Sequence, residues 1–495
     1  MQDGMRAGMR AGIRNRGEVG RDPQICSVNE EIKRRQLSLI AGYSAGGRGA
    51  SAGFTHVKNR ERGIVMDYVK KLAPGRLIAL GFASVIALGT VLLSLPVSAR
   101  EGVRVPLLDA LFTSTSAVCV TGLVAVDTAD TFSVFGRTVV ALLIQIGGLG
   151  VTCVGVGFIL LAGKRISFKS RLMVKEAWNV STLQGLVRLV RAVLIMTLII
   201  EGAGVLLSLP VFLRDHAPAD ALGISVFHSV AAFNNAGFDI LGGMRSLIPY
   251  RDDMLLNLTT CALIILGGIG FLVILDVLEK RRFKTLRLHS KVVILLSVIL
   301  IGAGTLVLRM TDDLTWLQAF FQSVSTRTAG FATCSIGDLS NAGLLAMTLL
   351  MFVGASPGST GGGIKTTTLF AMFQAIRSVA TNQAPAAFHR TIPQVVIVKA
   401  FHIMLLSTLF VYTGTFLLCI LEPEYSLIQC LVEVTSAFAT VGLSTGITPE
   451  LGAAGKLLII LVMYVGRLGP LTIASLWAFR PEAQIHYSEE NITIG

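Results

Sequence analysis

Long apolar segments alternate with short polar connections from Leu77 to near the C-terminal end of the chain. A helix that crosses ~30 Å of hydrocarbon needs about 20 predominantly apolar residues. Eight segments reach that length, so the pattern predicts an all-α, polytopic membrane protein. The predicted spanning helices are 77–97, 138–162, 187–213, 254–278, 291–310, 342–376, 394–421 and 456–479.

Four shorter apolar segments separate the first span from the second, the third from the fourth, the fifth from the sixth and the seventh from the eighth. They are Leu107–Val118, Ala221–Phe233, Leu314–Thr326 and Tyr425–Ala439. Apolar helices of about a dozen residues are too short to cross a bilayer. We therefore predict that each forms a re-entrant half-helix.

Each re-entrant segment ends in a short motif around a glycine, and the chain thus shows a fourfold internal repeat. The four motifs are Val120, Thr121, Gly122 and Leu123; Asn235, Ala236, Gly237 and Phe238; Thr328, Ala329, Gly330 and Phe331; and Thr440, Val441, Gly442 and Leu443. A second glycine-rich register follows at 147–150, 267–270, 354–358 and 466–469. Single glycines in membrane helices are usually packing residues, but four aligned copies favour a shared role. The predicted repeats are 66–175, 176–285, 286–385 and 386–495.

The repeated unit has the properties expected of a cation pore. Non-helical backbone at membrane depth is tolerated only where it is buried in protein or lines a wet cavity. Glycine permits positive φ and so allows carbonyl groups to turn towards an axis. Four such loops around one pseudo-fourfold axis can replace the hydration shell of a cation, with the negative helix C-termini directed at it. The motifs contain no Asp or Glu, which favours selectivity by backbone carbonyls at all sixteen positions.

The charges of the connections predict the orientation in the membrane. The connections after the second, fourth and sixth spans hold fourteen basic residues against Glu176 and Glu279, whereas the opposite connections are mixed or acidic. By the positive-inside rule, the basic connections and both termini are cytoplasmic. Much of the net charge of +13 is therefore a topology signal rather than a sign of nucleic-acid binding.

The composition excludes several other classes of protein. Of 495 residues, 53% are hydrophobic and only 15% charged, which argues against a soluble enzyme, a disordered chain or a nucleic-acid binder. The seven cysteines form no CxxC pair or Cys/His cluster, so we expect neither disulfides nor a zinc site. Residues 1–65 are rich in Gly, Arg and Ser and predict a disordered cytoplasmic tail, unless Met66 is the true initiator.

Seven motifs, in the same order along the chain, resemble the Trk/Ktr/HKT superfamily of potassium transporters. They are TSTSAVCVTGL with the later VDT at 113–128, QIGGLG at 145–150, FNNAGF at 233–238, RTAGF at 327–331, SPGSTGGGIKTTT at 356–368, SAFATVGL at 436–443 and GRLGP at 466–470. The resemblance covers Met66 to the C-terminus. Because one spanning segment precedes the first motif, the chain is most similar to the KtrB-type membrane subunit of bacterial Ktr systems.

The resemblance implies a channel-like K⁺ uptake protein of the bacterial inner membrane. It also implies a homodimer with one pore per subunit, docked on a KtrA-type cytosolic nucleotide-binding ring, with Na⁺ stimulating transport. No G-x-G-x-x-G motif opens a βαβ unit in this chain, so we expect no cofactor here and nucleotide only on the partner. Glycine in all four motifs resembles the potassium-selective members.

The segment that interrupts the sixth span is the candidate gate. The resemblance assigns this role to Ala355, Ser356, Pro357, Gly358, Ser359, Thr360, Gly361, Gly362 and Gly363, whereas the alternative is a passive kink. Matches to G-x-S-x-G at 354–358 and, incompletely, to a P-loop at 358–365 lack the required structural context, so we predict no enzyme.

Three charged residues inside apolar segments need partners or a function. A charge at the position of Arg467 costs several kcal/mol unless it is paired or hydrated. The resemblance places Arg467 below the filter beside the gate, with a structural ion pair as the alternative. Arg327 and Glu433 are expected to pair behind the filter.

The runner-up function is a secondary transporter that couples Na⁺ or H⁺ to a small solute. Such transporters usually have inverted repeats and carboxylates at the membrane midplane. The four predicted units share one orientation, which favours the pore.

Overall fold

The computed structural model of the protein describes residues 74–161, 168–177 and 185–469. The predicted tail at 1–65, the basic residues Lys164 and Arg165 and the chain beyond Gly469 lie outside the described residues.

The described chain is almost entirely helical, with one short two-stranded hairpin. In chain order its elements are α1 (Pro74–Leu93), α2 (Leu107–Cys119), α3 (Thr128–Thr131), α4 (Val134–Leu149), α5 (Val151–Leu161), α6 (Phe168–Ala177), α7 (Leu186–Phe212), α8 (Pro218–Phe233), α9 (Met254–Ile269), α10 (Phe271–Lys280), α11 (Leu288–Thr311), α12 (Trp316–Ser325), α13 (Asn341–Phe352), α14 (Thr366–Thr381), β1 (Ala386–Ala387), β2 (Arg390–Thr391), α15 (Gln394–Leu421), α16 (Leu427–Ala439) and α17 (Ala453–Leu468). Single 3₁₀ turns lie at Pro96–Ser98, Ile248–Tyr250, Phe283–Thr285 and Thr448–Glu450.

Four helices of the described chain, α1, α7, α11 and α15, are long and apolar enough to cross a membrane. They correspond to the predicted first spans, and their ends lie within a few residues of the predicted ones. Only about a third of each helix is buried against the rest of the protein, and the exposed remainder is largely Leu, Ile and Val. Such a surface is suited to contact with lipid.

The predicted second spans, in which the second glycine-rich register predicts interruptions, are not continuous helices in the described chain. The chain bends by 98° between α4 and α5 and by 96° between α9 and α10. Gly150 and Gly270 stand at these bends with φ of 84° and 98°, a conformation that ends a right-handed helix. The third pair, α13 and α14, is separated by the loop at 353–365, and α17 stops at Leu468.

The four short helices α2, α8, α12 and α16 occupy the predicted re-entrant segments. The starts of α12 and α16 are fixed by side-chain capping. Thr315 and Ser426 form capping boxes with Gln318 and Gln429, which satisfies free backbone N–H groups at the first turn. The ends of the four short helices coincide with the glycine motifs, where the backbone leaves the helical conformation.

The helices pack in a cycle that returns to its starting point. The helix after each motif packs on the short helix of the following unit: α4 on α8, α9 on α12, α13 on α16, and α17 back on α2. The closing contact includes an ion pair of 2.8 Å between Lys456 and Asp109, whose side chains are each only 13% exposed. Residues 347 positions apart are thus joined, and the ends of the described chain close one ring.

Candidate functional site

The backbone of the four glycine motifs follows one conformation. Each short helix is followed, at its end, by a non-glycine residue with a left-handed backbone: Val120, Asn235, Thr328 and Thr440 have φ of 58°, 57°, 74° and 53°. Two residues later stands the motif glycine, again with positive φ: 90° at Gly122, 66° at Gly237, 80° at Gly330 and 94° at Gly442. The internal repeat seen in the sequence is therefore also a repeat of backbone geometry.

This conformation is strained at three of the four helix ends. Val120, Thr328 and Thr440 are β-branched, and positive φ is a genuine outlier for such side chains. Each left-handed non-glycine residue costs of order 1–3 kcal/mol and persists only where the surroundings impose it. Strain repeated at equivalent positions indicates a functional site rather than an accident of packing.

The four motif glycines form a closed ring of backbone contacts. A Cβ on Gly122 would overlap the carbonyl oxygen of Ala236, and one on Gly237 would lie 2.7 Å from that of Ala329. The same relation links Gly330 to the carbonyl oxygen of Val441 and Gly442 to that of Thr121. Each motif glycine thus contacts the carbonyl of the preceding residue in the next repeat, and no side chain fits at any of the four positions.

The sixteen motif residues are held inside the protein, all of them buried except Gly442, which is half-buried. The amide nitrogen of Gly122 donates to the Ser116 hydroxyl at 3.1 Å, and that of Gly442 donates to Ser436 at 3.0 Å. In the third repeat the Ser325 hydroxyl donates to the Phe331 carbonyl. Hydroxyl groups of the short helices therefore fix the motif backbone from behind.

The second glycine register is explained by close helix packing. A Cβ on Gly147, Gly267 or Gly466 would overlap a carbonyl oxygen in the last turn of a short helix: Val118, Phe233 and Phe438 respectively. Each of these carbonyls belongs to the residue four positions before the motif glycine. In the first, second and fourth repeats the helix after the motif therefore lies directly against the C-terminal turn that presents the motif, whereas Gly354 of the third repeat lies against Gly362.

A third register of residues was missed by the sequence analysis. Ser114, Ser229 and Ser323 on the short helices donate to the carbonyls of Ile86, Glu201 and Ile301 on the long helices, at 2.8, 2.6 and 2.7 Å. A glycine three residues after each acceptor makes room for the hydroxyl: Gly89, Gly204 and Gly304. The fourth unit has Val434 against Gly414 instead. Serine–glycine pairing between separate segments was the available signal.

The candidate gate, 355–363, docks on the break between α9 and α10. The amides of Ser356 and Thr360 donate to the carbonyls of Gly268 and Gly267 at 3.0 and 3.2 Å, and the Phe271 amide donates to Gly358 at 3.0 Å. On the other side the loop reaches the ring: Gly361 lies against the Thr328 hydroxyl and Gly362 against that of Thr440. The loop therefore lies directly against two of the three strained positions.

Two cationic side chains hold the loop through its carbonyl oxygens. Lys365 donates to Gly361 and Gly362 at 2.7 and 3.1 Å, and Arg467 donates to Thr360 and also to Gly147. In the described part of the chain no carboxylate forms an ion pair with Arg467, contrary to the structural-ion-pair alternative. Lys365 was not among the predicted site residues, because in the sequence it stands out only as part of an incomplete P-loop match at 358–365.

A cavity of about 240 Å³ lies beside the loop. Its walls come from the loop, the start of α1, the α4–α5 bend and the end of α17, and both Lys365 and Arg467 line it. The two cations therefore face a space next to the loop as well as its carbonyl oxygens.

The expected pair of Arg327 and Glu433 is not formed, because each has other partners. Glu433 accepts hydrogen bonds from Ser444, from the Thr445 amide and hydroxyl, and from Thr448. It thereby braces the chain that leaves the fourth motif. Arg327 is buried and donates to the Ser297 hydroxyl at 3.4 Å. Glu433 lies in α16 whereas Arg327 follows the end of α12, and the sequence repeat carried no information on the relative orientation of these two segments.

Carboxylates join the chain segments that leave the first two motifs. Asp127 caps α3 and accepts from the Met244 amide at 2.6 Å, while Asp130 accepts from Gly243 at 3.0 Å. Nearby, burial raises the pKa of Asp239 to about 6, with Asp127 contributing to the shift and the Leu241 amide opposing it.

Glu201 interacts with the second motif through a buried amide. The Asn234 side chain donates to the Glu201 carboxylate at 3.0 Å and to the Gln145 side chain at 2.8 Å. Asn234 immediately precedes the strained Asn235, so Glu201 and Gln145 position the end of α8. His228 makes one hydrogen bond to Thr260, at 2.9 Å, as expected for a packing residue.

Comparison with known proteins gives a consistent result. The TrkH family model, described as "Cation transport protein", matches residues 81–315 and 294–486. The potassium/sodium uptake protein NtpJ of Enterococcus hirae is 38% identical, over 86% of this chain and 98% of that protein. The Ktr system potassium uptake protein B of Bacillus subtilis is 37% identical, over 86% of this chain and 97% of that protein.

Among solved structures, the potassium transporter TrkH from Vibrio parahaemolyticus has the same fold. The TM-score is 0.63 at 19% sequence identity, and the match covers 80% of this chain and 84% of that one.

Proposed function

Since the chain belongs to the TrkH family of cation transport proteins, we propose that it mediates selective K⁺ uptake across the bacterial cytoplasmic membrane. It is a multi-pass membrane protein, and the prediction that it is not an enzyme is confirmed by its family. The names of these relatives support potassium as the transported ion. The observation in this chain that carries the proposal is the closed ring of four glycine motifs.

The proposed architecture is four tandem units around a single pore, with boundaries at 66–175, 176–285, 286–385 and 386–495. Each unit holds a first span, a re-entrant pore helix, a filter motif and an interrupted second span. The cyclic packing of α4, α9, α13 and α17 on the next pore helix supports this arrangement. We place the basic connections on the cytoplasmic side.

The sixteen motif residues form the proposed selectivity filter. In a filter of this kind, carbonyl oxygens replace the hydration shell of the ion, and no carboxylate is needed. Three observations support the assignment: repeated positive φ, the carbonyl–glycine contacts between neighbouring repeats, and four helix C-termini that end at the same ring. The helix ends add partial negative charge where the ion would lose its water.

The proposed gate is the loop 355–363. It is held by hydrogen bonds to its backbone from Lys365 and Arg467, and its small residues lie against Thr328 and Thr440. To open the pore, the loop must leave these positions. This movement breaks the few hydrogen bonds that Lys365 and Arg467 donate to the loop backbone. Arg467 and Lys365 also place two positive charges beside the loop, where they oppose cation occupancy while it is closed.

Regulation is proposed to come from outside this chain. Relatives named as parts of a Ktr system support a partner component. We propose a KtrA-type cytosolic ring that binds the nucleotide, a homodimeric membrane subunit with one pore per chain, and stimulation by Na⁺. One relative is a potassium/sodium uptake protein, which supports a role for sodium.

The direct test is growth of a bacterium that lacks K⁺ uptake systems. We expect the full chain, expressed with its regulatory partner, to restore growth at low K⁺, and to do so with or without residues 1–65. Uptake of ⁸⁶Rb⁺ by the same cells measures the flux. Failure to restore either growth or ⁸⁶Rb⁺ uptake contradicts the proposal, whereas solute-dependent Na⁺ or H⁺ entry instead would indicate the coupled-transporter alternative.

The filter assignment is tested by Gly122→Ser. The new side chain would have to adopt φ of 90° and would overlap the Ala236 carbonyl, so it pushes two filter loops apart. We expect the K⁺/Na⁺ preference in proteoliposomes to fall roughly tenfold, the equivalent of about 1.4 kcal/mol. The matched control is Gly155→Ser in α5, where no atom lies within 4 Å of an added Cβ. Unchanged selectivity in Gly122→Ser removes this position from the filter.

The gate assignment is tested by Gly361→Ala. An added methyl group would overlap the Thr328 hydroxyl and lie 2.7 Å from Ala355, so the loop cannot keep its docked position. We expect several-fold more flux without the regulatory partner. Gly302→Ala in α11, with no atom near the added Cβ, should behave as wild type. A Gly361→Ala protein that folds but conducts no more than the control rules out gating by this loop.

A further inference from the structure

A large basic pocket lies at the end of the molecule opposite the predicted extracellular connections. It has a volume of about 850 Å³ and lies between the end of α10, the start of α11 and the β1–β2 hairpin. We call it the hairpin pocket. Its cationic and titratable lining residues are Lys280, Lys284, Arg287, Lys291, His389 and Arg390.

The positive charge of the hairpin pocket is only partly compensated within the described chain. Asp276 pairs with Lys280 at 2.9 Å and with Arg287 at 3.8 Å, and it also accepts hydrogen bonds from the Arg287 amide and the Ser290 hydroxyl. The single carboxylate of Asp276 can balance only one of these positive charges. No carboxylate is among the residues that line the pocket, and Lys284 and Arg390 have no ion-pair partner in the described part of the chain.

The hairpin is held over these cations in a strained conformation. Phe388 and His389 form its two-residue turn with φ of 49° and 60°, the geometry of a type I′ turn that normally requires Asn and Gly. Phe388 packs edge-on against Phe283, with ring centroids 6.3 Å apart, and the Lys291 ammonium lies 5.6 Å above its ring. These contacts compensate the strain and keep His389 and Arg390 at the pocket.

The helices that flank the pocket residues along the chain expose apolar side chains that are suited to contact with lipid acyl chains. Val379 at the end of α14 is 85% exposed, Val395 at the start of α15 is 64% exposed, and Leu295 is exposed one turn after Lys291 on α11. An anion bound in the pocket would therefore lie where the apolar surface of the spans gives way to the basic connections. This is the depth of phospholipid phosphates rather than of the open cytosol.

We propose that the hairpin pocket binds the phosphate headgroup of an anionic phospholipid of the inner leaflet. Lys284 and Arg390 contact the phosphate, and the acyl chains run along the exposed faces of α11, α14 and α15. Basic pockets between spanning helices on the cytoplasmic side are suited to anionic headgroups. The proposal rests on the orientation proposed above but not on the identity of the transported ion.

The test compares two double variants of the full chain that remove the same number of charges. Lys284→Ala/Arg390→Ala alters the pocket, whereas Arg104→Ala/Arg251→Ala removes two exposed arginines from the predicted outer side. Retention of phosphatidylglycerol by the purified protein is measured by native mass spectrometry. We expect the pocket variant to bind it roughly 30-fold more weakly, while the control binds like wild type. The double variant Lys284→Arg/Arg390→Lys keeps both positive charges, so we expect it to bind phosphatidylglycerol like wild type.

Three results would overturn the proposal. Equal loss in both double variants would show a non-specific charge effect. Competition by millimolar inorganic phosphate as effective as that by phosphatidylglycerol would show a site for a soluble anion. Unchanged lipid retention together with lost binding of the regulatory partner would show a protein docking surface. Thermal unfolding in zwitterionic lipid checks folding, and since the readout is lipid binding, failure here is separate from failure of K⁺ uptake.

Discussion

Four glycines that leave no room for a side chain determine how the rest of the protein is built. At Gly122, Gly237, Gly330 and Gly442 each backbone touches a carbonyl of the next repeat, and the series closes on itself. The conformation that permits these contacts is strained at Val120, Thr328 and Thr440. Strain of this size persists only where surrounding structure imposes it. Contacts from the rest of the fold impose this strained backbone conformation at the ring.

Those contacts come from three directions. From outside the ring, serines of the short helices donate to carbonyls of the long helices beside Gly89, Gly204 and Gly304. From the side, Gly147, Gly267 and Gly466 bring the helix after the motif against the last turn of a short helix. From the inner side, the loop 355–363 meets Thr328 and Thr440 while Lys365 and Arg467 hold its carbonyls. The loop that we propose as the gate therefore also supports the ring of glycine motifs that we propose as the filter.

The positions of the helices could largely be predicted from the sequence, because they depend on the composition and length of local segments. The length of the apolar segments predicted the four long helices and the four short ones, and the short helices end close to the glycine motifs. Bends near 98° were not predictable from hydropathy, which measures segment length but not the φ of Gly150 or Gly270. The serine–glycine pairs and the partners of Arg327 and Glu433 depend on how separate segments face each other, which a repeat alone does not encode.

The position of a heavy monovalent cation in the full-length protein would test most directly whether the ring of four glycine motifs binds the transported ion. Crystals of the protein grown in Rb⁺ and measured at its absorption edge would report bound ions by anomalous scattering. We expect anomalous density on the axis of the ring, surrounded by backbone carbonyl oxygens of the four motifs. These oxygens include those of Thr121, Ala236, Ala329 and Val441. Density confined to a carboxylate such as Glu201, with none on the axis, would contradict this expectation.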